Sequence, residues 1–167
     1  MDNIFTANSN GTSIYNSLPE TVKYFQEVNI IENIEIPCNK PDIEAVSSLL
    51  VSPKVLSSRL ITTPIALSYE GQNLTGYKLI VDLQVNEKLK YVAALCHQPI
   101  HGVHFSDINK SVFVVVPEEI NGIRVCDLIR KHKYAVTPYV TEVYTTKRDC
   151  RTFYSCVSLL VDVRFFV

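Results

Sequence analysis

Tyr77-Lys78-Leu79-Ile80-Val81-Asp82-Leu83-Gln84-Val85 is the stretch on which the fold turns. Leu79, Val81, Leu83 and Val85 occupy every second position, the period of a strand that buries one face. Similar signals surround it. Residues 28–36 form one candidate strand, with Ile34 and Ile36 alternating against Asn33 and Glu35, and Pro37 ends it by removing a ladder donor. Residues 54–58 and 60–69 make another pair, and Glu70-Gly71-Gln72-Asn73 supplies a hairpin turn ahead of Tyr77. Past Val85, Asn86-Glu87-Lys88 reads as a short polar hairpin loop that returns the chain along 89–95. Residues 111–116 are almost wholly apolar, the pattern of a strand buried on both faces. A final hairpin is expected from 134–144 and 153–167 around Thr145-Thr146-Lys147-Arg148-Asp149. Its last strand runs through Val161 to Val167 with little polar cover, so it is expected to be central in its sheet or covered by another chain.

Helical signals are few. Asn39-Lys40-Pro41-Asp42 reads as a turn into a short helix over 41–50, with Pro41 near its first position and Asp42 and Glu44 in its first turn. Ile43, Val46, Leu49 and Leu50 supply the i, i+3, i+6, i+7 stripe. Residues 125–132 are the second short candidate. Two short helices cannot supply the crossovers of an α/β fold. The pattern therefore predicts an all-β domain, an antiparallel β-sandwich or barrel-like unit with one or two short helices. Ahead of it, residues 1–27 form an extended N-terminal arm, and residues 28–167 form the β domain. The arm is rich in Asn, Ser and Thr, turns at Asn10-Gly11, and scatters Ile4, Phe5, Ile14, Tyr15 and Leu18 without a period. Such a segment is expected to order only by packing on something else.

A length of 167 residues fits one domain, and 47% hydrophobic with 20% charged residues excludes general disorder. The net charge of −1 gives no bulk attraction to nucleic acid or an anionic membrane. Met1-Asp2-Asn3-Ile4-Phe5 lacks the basic and apolar regions of a secretory signal, and no apolar run reaches bilayer-spanning length. Synthesis as a soluble cytosolic protein is expected.

The densest polar cluster is Cys96-His97-Gln98-Pro99-Ile100-His101-Gly102-Val103-His104. A thiol and three imidazoles are metal-ligand types, but an extended backbone turns His101 and His104 to opposite faces and a loop fixes neither. The segment reads as a loop with incidental histidines, and no metal or cofactor is assigned. Cys96 or Cys150 as a catalytic nucleophile would need a histidine and an orienting group placed by the fold. No GxSxG elbow, glycine-rich phosphate loop or recognisable carboxylate pair is present, so neither an enzyme nor a small-molecule substrate is expected. Arg130-Lys131-His132-Lys133 reads as a solvated basic run, and the nine tyrosines as packing residues.

Cys38, Cys96, Cys126, Cys150 and Cys156 form no CxxC pair, which argues against a zinc ribbon. Their number is odd, so internal pairing leaves at least one thiol over. They read either as small buried hydrophobes or as crosslink sites. With both in the last strand, Cys150 and Cys156 would lie about 20 Å apart, beyond disulfide reach.

Glu35-Ile36-Pro37, Lys40-Pro41-Asp42-Ile43-Glu44 and the apolar stripe after them resemble the opening of the SPOCS domain of bacterial sporulation proteins. Glu70-Gly71-Gln72-Asn73-Leu74-Thr75-Gly76-Tyr77, and Gln98-Pro99-Ile100-His101 with a strand ending at Pro117, are similar to later segments of that domain. The resemblance spans about 28–167. It implies an endospore-forming bacterium, synthesis in the mother-cell cytoplasm and deposition on the spore surface, as coat, exosporium or appendage. Such domains are assembly modules without enzymatic residues. The chain shows no LysM-type module and carries the arm and five cysteines, which favours copies of itself as main partners alongside other spore-envelope proteins. The function implied is a self-assembling structural subunit, joined by β-domain stacking, the arm and disulfides among the five cysteines. The alternative is an adaptor recruiting a morphogenetic protein or an envelope glycan.

Overall fold

The computed structural model describes residues 5–8 (backbone), 18–67, 69 and 73–167. Two antiparallel sheets pack face to face. The four-stranded sheet has the order β1 (Phe5–Asn8), β3 (Ile43–Thr62), β6 (Tyr77–Ala93), β7 (Ile100–Val115). The three-stranded sheet has the order β10 (Tyr134–Lys147), β11 (Thr152–Phe165), β2 (Tyr24–Glu35). The ribbons β4 (Ala66–Leu67) with β5 (Asn73–Leu74), and β8 (Glu119–Ile120) with β9 (Ile123–Arg124), lie at one end beside the helix α1 (Val125–Arg130). The all-β antiparallel sandwich is as the alternation predicts, with one short helix among the described residues.

β6 explains the core. Leu79, Val81, Leu83, Val85, Glu87, Leu89, Tyr91 and Ala93 all point inward and are fully buried. The expected loop at Asn86-Glu87-Lys88 is therefore not there: 77–85 and 89–95 are not two strands, because one strand runs from Tyr77 to Ala93. Asn86 and Lys88 take outward positions, and Glu87 keeps the inward phase.

The helix expected over 41–50 is not formed either. β3 starts at Ile43 and pairs with β6, and it also merges the two strands expected at 54–58 and 60–69 as far as Thr62. Register shifts between Ile43 and Ala45, and between Val46 and Ser48, each place an extra residue against an unshifted β6. Ile43, Val46 and Leu49 then face Ala93, Tyr91 and Leu89. Two bulges turn a period of two into a local period of three, which imitates one side of a helix. Pro53 sits two residues past Val51, the last partner of β1, where its missing N–H costs no pairing with that strand.

The remaining strands need smaller corrections. β2 begins at Tyr24, four residues ahead of the expected strand. β7 does not bury both faces at 111–116: Val112, Val114 and Val116 are buried while Phe113 is exposed. The final hairpin forms, and β11 is the central strand of its sheet, flanked by β10 and β2. Of the turn expected at Glu70-Gly71-Gln72-Asn73, the first three residues lie outside the described residues, as do 1–4 and 9–17 of the arm. At the two sides of the sandwich β10 lies against β3, where the Ser58 and Tyr134 hydroxyls bond at 2.8 Å, and β2 lies against β7, where Lys110 meets Glu32 at 2.9 Å.

Candidate assembly site

β1 is the first feature that bears on assembly. Phe5, Thr6, Ala7 and Asn8 pair antiparallel with Val51, Leu50, Leu49 and Ser48 of β3. The edge of β3 at residues 48–51 therefore presents main-chain groups that accept an added strand. Such a contact is made through main-chain hydrogen bonds and places little demand on the side chains of the added strand.

The second feature is the end where three turns meet: residues 36–42 between β2 and β3, 94–99 between β6 and β7, and 148–151 between β10 and β11. Arg151 holds them. Its Nη2 donates to the carbonyls of Ile36 (3.0 Å) and Pro37 (2.7 Å), and its Nη1 to the Lys40 carbonyl (2.7 Å) and the Asp42 carboxylate (3.1 Å). Backbone bonds complete the clamp: Ile43 N–H donates to Cys150 O (2.7 Å), and Ala94 N–H to Asp42 O (2.9 Å). Gln98 Nε2 donates to Glu44 Oε1 at 2.8 Å. Asp149 caps its own turn by accepting from the Arg151 and Thr152 backbone, and these bonds hold its pKa below the usual carboxylate value.

Cys38, Cys96 and Cys150 each lie on one of these three turns, exposed and free. Cys126 is half-buried on α1, and Cys156 is half-buried on β11, facing outward between Tyr144 and Ile31 of the flanking strands. None of the five is buried, so the reading of them as core hydrophobes is corrected. Turns, an outward strand position and the half-buried side of α1 hold them short of the core.

The histidine segment is not the loop expected: residues 96–99 form the turn, but β7 begins at Ile100, so His101 and His104 split as an extended backbone requires. His101 is half-buried and stacks on Tyr91 at 5.9 Å between ring centroids, while His104 on the other face is exposed. Among the described residues no three His, Cys, Asp or Glu side chains are grouped closely enough to hold a metal ion. The basic run 130–133 is exposed at the end of α1, where Arg130 pairs with Asp127 at 3.3 Å.

Two buried carboxylates stand apart. Ser155 Oγ donates to Glu87 Oε1 at 2.9 Å, but Oε2 has no donor among the described residues. Burial in the apolar interior pushes Glu87 up to about 7, against the pull of the serine bond. Asp162 on β11 is 1% exposed and pairs with Arg164 at 2.7 Å. It lines a cavity of about 670 Å³ at the α1 end, together with Lys23, Tyr24, Asn121 and Phe165.

Neither Arg151 nor Glu87 stands out in the sequence. The acceptors of Arg151 lie more than a hundred positions away, and no local pattern points to them. Glu87 had a signal: it falls on the inward phase that links Val85 to Leu89. The chain matches no family model, no curated protein and no solved structure. The class is therefore defined by architecture: an antiparallel β-sandwich with an added N-terminal strand and a thiol-bearing end.

Proposed function

We propose that this chain is a self-assembling structural subunit of the bacterial endospore surface, part of an appendage, coat or exosporium lattice. The single observation that carries self-assembly is the pairing of β1 with β3. The arm that bears β1 is joined to β2 by residues 9–23, so the same four backbone pairs are available to the β3 edge of a neighbouring copy. Exchange of that strand is a heterologous contact, which need not close and can propagate as an open polymer. The similarity of Lys40-Pro41-Asp42-Ile43-Glu44 to the SPOCS opening supports the spore setting, although the segment is a turn and a bulged strand rather than a turn and a helix. Its partners are copies of itself and other envelope proteins. The exposed cysteines act after the mother cell lyses and the surroundings oxidise.

Deleting residues 1–17 removes β1 and leaves β2 intact. In negative-stain electron microscopy the full chain should form filaments or sheets, and the shortened chain should remain a folded monomer. If the shortened chain polymerises like the full one, strand exchange is wrong. Discrete small particles from the full chain would favour the adaptor.

A further inference from the structure

We infer that the end bearing Cys38, Cys96 and Cys150 is a covalent docking surface for a second copy of this chain, which presents Cys126 from its opposite end. The inference rests on self-assembly and adds its polarity and its bond. The first step is reach. β6 is 17 residues long and spans about 50 Å from Tyr77 to Ala93. Ala93 belongs to the three-turn end, where its N–H donates to Pro99 O and Ile43 beside it donates to Cys150 O. Cys126 belongs to the other end: Val116 N–H donates to Tyr77 O, and Val125 N–H to Glu118 O. A disulfide tolerates at most about 7 Å between Cα atoms. Cys126 therefore cannot bond any of the three within its own chain.

The second step is number. Three thiols on one end form at most one pair among themselves, so at least one exposed thiol per chain is left for a partner. Bonding it to Cys126 of the next copy uses the left-over thiol at each end and joins unlike ends, so the chain of copies stays open. Exposed apolar residues flank both surfaces. Leu95 and Ile100 (70% exposed) lie by the three turns, and Ile65 and Leu67 (78% and 81%) project from the ribbon segment at the α1 end. Thr63 N–H donates to Gly76 O, which fixes that segment beside Tyr77. In the bond-forming step two thiols lose two protons and two electrons, and the sulfurs join. Dioxygen accepts both, giving hydrogen peroxide.

The test is a map of linked peptides from the full chain, purified reduced and then held in air. Peptides joining Cys126 to Cys38, Cys96 or Cys150, with a ladder well beyond dimer on a non-reducing gel, are the expected result. Cys126→Ser should collapse the ladder to dimer or below. Links found only among Cys38, Cys96 and Cys150, or no links at all, overturn the inference, and the wild-type map decides this even if the variant does not fold. Filaments seen under reductant keep the strand-exchange reading standing when the disulfide fails, and their absence counts against self-assembly itself.

Discussion

The two ends of this sandwich are built on opposite principles. At the three-turn end, one guanidinium donates to three backbone carbonyls and a carboxylate drawn from a single loop, and further backbone bonds tie that loop to the turns on both sides. The α1 end has no such hub among the described residues. It is assembled from short ribbons and a six-residue helix anchored by Val125 and Leu128, with exposed ion pairs from Asp127 to Arg124 and Arg130. Charge-assisted bonds to backbone order loops that have almost no apolar surface to bury. The thiols of the first end therefore sit on turns ordered around one polar hub, whereas Cys126 sits on a helix held by apolar side chains.

Arg151→Ala should break that contrast most strongly. The change strips donors from Ile36 O, Pro37 O, Lys40 O and Asp42, and the side chain is only 25% exposed, so the expected loss is about 3–4 kcal/mol by urea unfolding. Amide exchange should rise in 36–42 and 94–99 while α1 keeps its protection. A uniform rise over both ends would mean that the guanidinium is not a local clamp.

Glu87 tests the interior between the ends. Its carboxyl titrates near 7 in the folded chain against an ordinary 4.5, so the folded state holds the proton over an interval in which the unfolded state has released it. Stability from this group is complete below pH 4.5 and declines as pH rises through 7, by about 3 kcal/mol in total. Asp82 and Asp149 are shifted the opposite way, Asp82 chiefly by the Ser111 and Ser57 hydroxyls and Asp149 by backbone donors. Their contributions are lost only in more acid solution. Glu87→Gln retains an acceptor for Ser155 and should flatten the decline between pH 5 and 8. An unchanged slope in the variant would assign the pH dependence elsewhere.

Much of this was legible in the sequence, and the failures have physical causes. Alternation in 77–85 fixes one strand because it has one buried face and an unshifted register, whereas β11 buries both faces over residues 159–163 and is legible as a near-continuous apolar run. Alternation breaks down in β3, where bulges make Ile43, Val46 and Leu49 mimic a helix; a bulge is defined by the partner strand, which lies about forty to fifty positions away. It breaks down at Asn86-Glu87-Lys88 because polarity outweighed phase, and a single serine from the other sheet suffices to keep Glu87 inside. Of the assembly features, the arm and the cysteines were visible as candidates. The gathering of Cys38, Cys96 and Cys150 on one end was not, since three turns far apart in the chain meet only through the sheet order.

The smallest expected effect sharpens the comparison from the α1 side. Gly122 has φ +76, which only glycine adopts without strain, yet a Cβ built there meets nothing within 4 Å. Gly122→Ala should therefore cost backbone strain alone, about 1 kcal/mol, with no steric share. Gly76 at φ +91 is the control, because its added Cβ would sit 3.1 Å from Ile65 Cγ1, so Gly76→Ala should cost more. Linking through Cys126 should survive the first substitution, since Val125 and Leu128 anchor α1 independently of the turn at Gly122. A loss of linking in Gly122→Ala, with stability nearly intact, would show that the Gly122 turn and not the apolar anchors positions α1, and the contrast between the two ends would fall.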